Sequence, residues 1–218
     1  MNLATGVFEA RQDAFWAFSF LHPTGRIDAG QFEKIWSALI HAWSEPQRAY
    51  HRLDHLLSCL VEWRSIRHDE ADDARLVLAL CFHDAIYDPT AKDNEERSAD
   101  WALAAGRQLG LTAEDLTAVA QMILATKAHA VAPDEATRRL LDIDLSVLGA
   151  SPERFAAYDA GIREEYRHVP ETVYRRVRAQ VLQSFLDRRP LYLTSEFRER
   201  YESPARANLR AAIDRLRS

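Results

Sequence analysis

Glycine is scarce in this chain, and this scarcity limits the folds it can adopt. Only seven of the 218 residues are glycine, whereas alanine, leucine, arginine and glutamate are used heavily. These four residue types favour helices, and a fold of many strands needs more turn residues than the sequence offers. The sequence therefore predicts an all-α fold. Its length suits one well-buried core, so we expect a single domain over residues 1–218.

Apolar residues recur at helical spacing along most of the chain. Residues 74–82 are almost continuously apolar, which predicts a central helix buried on most sides. Thr112 is expected to cap one helix and Gly110 to end the helix before it. The predicted helices span residues 7–21, 31–43, 55–66, 74–82, 93–109, 116–127, a short segment that runs into Asp142 and Asp144, and residues 153–167, 171–189 and 204–216. Val61 and Leu124 are expected to face inward.

Composition excludes several classes of protein. The net charge of −5 gives no overall basic excess, so no nucleic-acid partner is expected. No apolar stretch approaches the length of a membrane span, and the first residues do not resemble a signal peptide, so we expect a cytoplasmic protein without a membrane partner. Cys59 and Cys81 lie in apolar helical runs and are expected to be buried and unpaired.

Histidine and aspartate residues stand at the ends of the apolar helices. His51 and His55 have the i, i+4 spacing that places two side chains on one face of a helix. His83 and Asp84 end the central helix, where buried polar groups are unfavourable unless they are hydrogen-bonded or bind a cation. Asp144 offers a further carboxylate. Imidazole and carboxylate together suit a divalent cation, so the sequence predicts a metal site.

Asp142, the other aspartate near Asp144, is the weaker candidate ligand. Asp142 stands two positions earlier in the chain, and on a helix its side chain would point in another direction. We therefore favour Asp144 as the ligand.

The order of these residues, in a chain expected to be all-helical, resembles the pattern of the HD superfamily of metal-dependent phosphohydrolases. Four segments are similar to motifs of cyclic-nucleotide phosphodiesterases: Tyr-His-Arg-Leu-Asp-His at 50–55, Phe-His-Asp at 82–84, Ile-Leu-Ala-Thr at 123–126 with His129 following, and Asp-Leu-Ser at 144–146. This resemblance covers residues 50–146. The chain lacks the glycine-bearing motif that follows the His-Asp pair in the phosphodiesterases.

A second resemblance covers nearly the whole chain. With Asp-Asn-Glu-Glu-Arg-Ser at residues 93–98 and an arginine-rich C-terminal helix, the sequence is similar to a bacterial branch of predicted HD phosphohydrolases. It implies one HD-type helical domain, with its metal core at about residues 50–146 and helices within residues 153–217 completing the pocket.

The resemblance also implies roles for single residues. His55, His83, Asp84 and Asp144 would bind a first divalent metal, and Asp84 would bridge to a second. His51 would protonate the leaving group, although either His51 or His55 can fill the one histidine position that precedes the His-Asp pair in a generic HD protein. One or two ions per chain are expected, and Mn, Mg, Fe, Co, Ni and Zn all remain open.

Other charged side chains are candidates for the substrate or for bonds to metal-bound water. They are Glu95, Lys127, His129 and Arg178. Glu95 and Arg178 have a simpler explanation, because acids at helix starts are favoured by the helix dipole and arginines commonly pair with nearby glutamates such as Glu164, Glu165 and Glu171.

The expected function is hydrolysis of a phosphomonoester or phosphodiester of a nucleotide or another small metabolite. A di-iron HD-type oxygenase is the alternative among enzymes, since the same ligands can hold redox-active metal. A non-catalytic sensor that binds metal or nucleotide is the alternative if the protein is not an enzyme.

Overall fold

The computed structural model describes residues 2–66, 70–129, 132 and 134–218. Over these residues the chain is helical and contains no strand, so the all-α prediction is confirmed. The α-helices are α1 (Leu3–Leu21), α2 (Ala29–Trp43), α3 (Leu53–Arg64), α4 (Glu70–Phe82), α5 (Asn94–Gln108), α6 (Ala113–Ala125), α7 (Glu135–Asp144), α8 (Pro152–Glu165), α9 (Glu171–Leu186) and α10 (Ser195–Arg217). A 3₁₀ helix, Leu145–Gly149, follows α7.

The chain groups into two compact units, Met1–Leu141 and Asp142–Ser218. The prediction of one domain is not tested by this grouping and stays a prediction. None of the helices within the described residues is both long and apolar enough to cross a membrane.

Helix α4 is the centre of the first unit. Every residue from Leu76 to Phe82 is buried, and α4 packs against α1, α3, α5 and α6. The Phe82 ring meets Phe18 of α1 at 6.5 Å and Trp101 of α5 at 5.8 Å, both edge to face. Burying each such side chain contributes about 1.5–3 kcal/mol. The predicted central helix is therefore present, and its C-terminal end lies in the core.

Polar pairs fix the helices that surround α4. Arg64 of α3 donates to Asp13 of α1 at 2.5 Å, and Arg75 of α4 donates to Asp115 of α6 at 2.7 Å. Thr112 caps α6 as predicted, because its hydroxyl accepts the Asp115 N–H at 3.2 Å.

The predicted stop at Gly110 is confirmed, but two predicted inward residues are not buried. Gly110 follows α5 with φ +78°, a conformation that side chains disfavour. Val61 and Leu124 were expected inside, yet both are more than 40% exposed. Successive side chains on a helix are about 100° apart around its axis, so Val61 lies on a different side of the helix from buried Leu60.

In the second unit, α10 packs against α9 and the 3₁₀ helix. A Cβ on Gly149 would lie 2.6 Å from the Cβ of Tyr201, so only glycine permits this approach. Helix α10 begins at Ser195, well before the predicted start at Pro204, which lies inside it. Glu202, in the missed part, accepts the N–H groups of Leu191 at 3.1 Å and Tyr192 at 3.2 Å, which ties the preceding loop to the helix.

Candidate metal centre

Two buried histidines meet where α3 begins and α4 ends. His55 lies in the first turn of α3, and His83 directly follows Phe82, the last residue of α4. Both side chains are at least 95% buried, and their Nε2 atoms are 3.2 Å apart. Asp84 stands next in the chain, with Oδ2 3.2 Å from Nε2 of His83 and 3.9 Å from Nε2 of His55. The structure thus brings together three of the predicted ligands.

These three atoms have the spacing of ligands around one ion. A triangle with sides of 3.2, 3.2 and 3.9 Å has its corners about 2.0 Å from one central point. Bonds from divalent transition metals to imidazole nitrogen and carboxylate oxygen are about 2.0–2.2 Å long. A cation at that point would therefore contact all three atoms without moving them, and the residues present fit a divalent metal.

The tautomer of His83 also suits a ligand. Its Nδ1 lies 2.8 Å from the carbonyl oxygen of Leu80. A carbonyl only accepts hydrogen bonds, so Nδ1 carries a proton, and in the neutral ring Nε2, which lies 3.2 Å from both His55 and Asp84, keeps its lone pair. Histidine ligands in metalloproteins commonly donate their other N–H in this way, which fixes the ring orientation.

An aromatic wall covers the histidines from one side. The Trp43 ring lies 5.5 Å from that of His83 and 6.1 Å from that of His55, and its Nε1 donates to the Cys81 carbonyl at 2.9 Å. Cys81 is fully buried, and burial, assisted by the charge of Asp13, raises the pKa of its thiol. This side of the centre is therefore apolar, which strengthens electrostatic interactions there.

Cys59 belongs to this cluster, and sequence reasoning did not assign it there. It is buried, as expected, one turn after His55 on α3. Its Sγ lies 3.8 Å from both ring nitrogens of His55, and one potential ligand atom from each of His55, Cys59 and His83 lies within 4.8 Å of the others. The i, i+4 spacing of His55 and Cys59 was the available signal. The thiol gives the cluster a soft candidate ligand beside imidazole and carboxylate.

His51 lies beside the cluster, but not on the helix that carries His55. Helix α3 begins at Leu53 and Arg52 is its extended N-cap, so the expectation that His51 and His55 share a helical face was wrong. The His51 ring stacks on Tyr87, with centroids 4.2 Å apart, and lies 5.9 Å from the His55 ring. The structure places it next to the candidate ligands, and its role as proton donor stays a prediction.

Glu95 and Lys127 are brought together in a surface cluster. The Lys127 Nζ donates to the Lys92 carbonyl at 2.7 Å, pairs with Glu96 and lies 3.9 Å from Glu95. The hydrogen bond with Glu96 raises the pKa of Lys127 and lowers that of Glu96. These contacts account for the lysine within the fold, and substrate roles for Glu95 and Lys127 stay predictions.

His129 follows α6 in a backbone conformation that is unusual for histidine. Its φ is +48°, and its N–H donates to the Ala125 carbonyl at 3.1 Å, which closes the end of the helix. A role for its side chain in substrate binding stays a prediction.

In the second unit, Asp142 has a structural role. It is buried and accepts the Leu193 N–H at 2.8 Å and both the N–H and the hydroxyl of Thr194 at 2.7 Å. This agrees with the preference for Asp144 over Asp142. Asp144 is the last residue of α7, and its assignment as a ligand stays a prediction.

Arg178, also in the second unit, is largely buried. Its guanidinium pairs with Asp159 at 3.1 Å and lies over the Tyr158 ring, whereas Arg163 forms the expected pair with Glu171 at 2.9 Å. These contacts explain Arg178 structurally, and a substrate role for it is untested.

Comparison with protein-family models, with curated proteins and with solved structures finds no match to this chain. The case for the metal centre therefore depends on its own geometry: ligand atoms of two buried imidazoles and one carboxylate that lie about 2.0 Å from one central point.

Proposed function

We propose that this chain is a metal-dependent phosphohydrolase that acts on a phosphomonoester or phosphodiester of a small metabolite such as a nucleotide. The observation that carries the proposal is the convergence of His55, His83 and Asp84, with the Nδ1–H of His83 bonded to Leu80. The resemblance to HD phosphohydrolases supports the reaction class.

Each residue has a role that follows from its chemistry. His55 and His83 would hold a divalent ion through neutral imidazoles, and Asp84 would supply the negative charge among the three atoms. Such an ion, when bound, would act as a Lewis acid on the phosphoryl oxygens and would lower the pKa of water bound to it. His51, half-buried against Tyr87, would donate a proton to the leaving-group oxygen. General acid catalysis of this kind contributes about 10²–10⁴ in rate.

A panel experiment tests the reaction class. Purified protein is assayed for metal content and then with nucleotides and phosphorylated metabolites in the presence of Mn, Mg, Co, Fe, Ni or Zn. We expect metal-dependent release of phosphate, which Asp84→Ala abolishes while helical content stays largely intact. Turnover that survives in Asp84→Ala would come from a contaminant. Tightly held iron with aerobic oxidation and no phosphate release would favour the oxygenase, and metal binding without any turnover would favour the sensor.

A second experiment separates the roles of His51 and His55. His55→Ala should lose metal and, as a consequence, activity. His51→Ala should keep metal but lose rate, and the loss should be smaller for a nitrophenyl ester, whose leaving group needs no proton. Metal content and rates on activated and unactivated esters decide between these roles. Loss of metal from His51→Ala, with metal retained in His55→Ala, would mean that the two roles are exchanged.

A further inference from the structure

Arg48 is a buried arginine in the segment between α2 and α3. Its side chain is fully shielded from solvent, although the segment is not helical. The guanidinium donates to the Glu45 carboxylate at 3.1 Å and lies over the Trp43 and Tyr87 rings, 5.5 and 5.6 Å from their centroids. A buried charge is strongly unfavourable unless it is paired and hydrogen-bonded, so the partners of Arg48 are what permit its burial.

Its remaining hydrogen bonds go to backbone carbonyls on two separate stretches of chain. Nη1 donates to the carbonyls of His51 at 2.9 Å and Asp84 at 2.7 Å, and Nη2 donates to that of Ala85 at 2.9 Å. The first carbonyl lies just before α3, and the other two lie in the turn just after α4. One rigid guanidinium therefore joins the two segments that carry His51 and Asp84.

The turn after α4 determines where the Asp84 carboxylate lies. Asp84 lies two residues beyond the last residue of α4, in the turn that the Ala85 N–H closes onto the Phe82 carbonyl. Arg48 holds the same turn by donating to the carbonyls of Asp84 and Ala85. In this turn Oδ2 of Asp84 lies 3.2 Å from Nε2 of His83, which is the spacing that a shared ion requires.

We propose that Arg48 is a positioning residue of the metal centre, which preorganises Asp84 and His51 through their backbone carbonyls. The proposal rests on the metal centre of the proposed function, but not on the reaction that the centre performs. Partners that orient ligands typically contribute 10–100-fold in metal affinity. A buried cation also repels a metal ion, an effect of opposite sign, and the test separates the two.

Metal affinity of two variants, measured by Mn²⁺ titration well below the unfolding temperature, tests the proposal. Arg48→Lys keeps the charge but has a single ammonium that cannot span the three carbonyls, and Arg48→Met removes the charge. We expect both to bind Mn²⁺ about 10–100-fold more weakly than the wild type. Tighter binding by Arg48→Met would show that repulsion dominates and would overturn the proposal.

Arg75→Lys is the matched control. Arg75 lies on α4, the helix that leads to His83, and its bonds go to Asp115 of α6 and not to the turn. We expect Arg75→Lys to lower the unfolding temperature and to leave the Kd for Mn²⁺ within about threefold. If Arg48→Lys behaves in the same way, with lower stability but unchanged Kd, Arg48 is only structural and the proposal fails.

Hydrogen exchange on the metal-free wild type gives a measurement that does not require a variant to fold. The amides of His83, Ala85 and Ile86, which donate to Ala79, Phe82 and Ser98, should exchange slowly before any metal is added, because a turn that is ordered in advance keeps these bonds closed. Fast exchange that slows only with Mn²⁺ would overturn the proposal. A wild type that binds no metal overturns the metal centre and this inference together. Metal binding that depends on Arg48, without hydrolysis, leaves this inference standing and refutes only the reaction.

Discussion

Replacing Asp84 by asparagine removes the one anionic atom among the three that converge. The substitution keeps the size of the side chain and one oxygen, so the turn and the two histidines stay in place. What changes is the charge directed at the central point, about 2.0 Å away. We expect Asp84→Asn to fold like the wild type and to lose most of its metal affinity.

The size of the loss follows from the number of ligands. Structural zinc sites with four protein ligands bind with about 10–16 kcal/mol, or about 2.5–4 kcal/mol for each ligand. The Asp84 side chain is 17% exposed and asparagine retains an oxygen, so the lower value applies. A loss of about 2.5–3 kcal/mol corresponds to a Kd weaker by about 100-fold.

Thermal unfolding at a fixed metal concentration measures this difference. At about 100 times the wild-type Kd, binding stabilises the folded state by about 2.7 kcal/mol, which raises the Tm of a chain of this length by about 5–10 °C. The same concentration equals the expected Kd of Asp84→Asn, for which the gain is about 0.4 kcal/mol, or about 1 °C.

The control is Asp88→Asn, the same substitution four residues later. The Asp88 carboxylate accepts the N–H and hydroxyl of Thr90 at 2.8 and 2.7 Å, which shapes the turn and lowers the pKa of Asp88. It should retain the full metal-induced shift. Equal shifts in the wild type and Asp84→Asn would refute the reasoning, because the carboxylate would then not bind the ion.

Three further results are expected. Trp43→Phe leaves the buried Cys81 carbonyl without its indole donor, so urea unfolding should show a loss of about 1–3 kcal/mol, and an unchanged midpoint would contradict this. Asp142→Ala removes the acceptor of three buried or half-buried donors, two of them on Thr194, and should destabilise by about 3–5 kcal/mol in the same assay, whereas a loss below about 1 kcal/mol would show that water replaces the carboxylate. Cys59→Ser should leave the Kd for Mn²⁺ nearly unchanged, because manganese prefers oxygen and nitrogen ligands. A sulfur-to-metal charge-transfer band that Co²⁺ gives with the wild type and not with the variant would instead identify the thiolate as a ligand.

Apolar periodicity predicted the helices well, because burial of one face is the main source of helix stability in a folded chain. The main error in a predicted helix boundary is the start of α10. Pro204 lacks an N–H and normally begins a helix, so the segment before it was not assigned. That segment carries Phe197 and Tyr201, which pack on Tyr192 with ring centroids 6.2 and 5.9 Å away. Tertiary packing of this kind overrides the local proline signal.

The candidate ligands could be found from the sequence in part. His83 and Asp84 stood out because they end an apolar helix, where polar side chains need partners. The spacing of His51 and His55 was misleading, since the extended N-cap at Arg52 separates His51 from α3. Arg48 could not be found, because it binds backbone carbonyls, which every residue possesses and which leave no pattern of residue types.

The end of a buried helix explains why these residues gather there. The last turn of any α-helix has carbonyls without intrahelical donors, and burying them unpaired is costly. At the end of α4, the carbonyl of Leu80 is bonded by His83, that of Cys81 by Trp43, and that of Phe82 by the Ala85 N–H. Arg48 then bonds the carbonyls of the following turn.

The donors that satisfy the carbonyls at the end of α4 also shape the metal centre. Bonding Leu80 sets the tautomer of His83, bonding Cys81 places the Trp43 ring against both histidines, and bonding the turn aims Asp84. The requirement to satisfy a buried helix end and the requirement to preorganise a cation site are therefore met by the same side chains. For that reason, a substitution at Trp43 or Arg48 should affect stability and metal affinity together, whereas one at Asp84 should affect metal affinity alone.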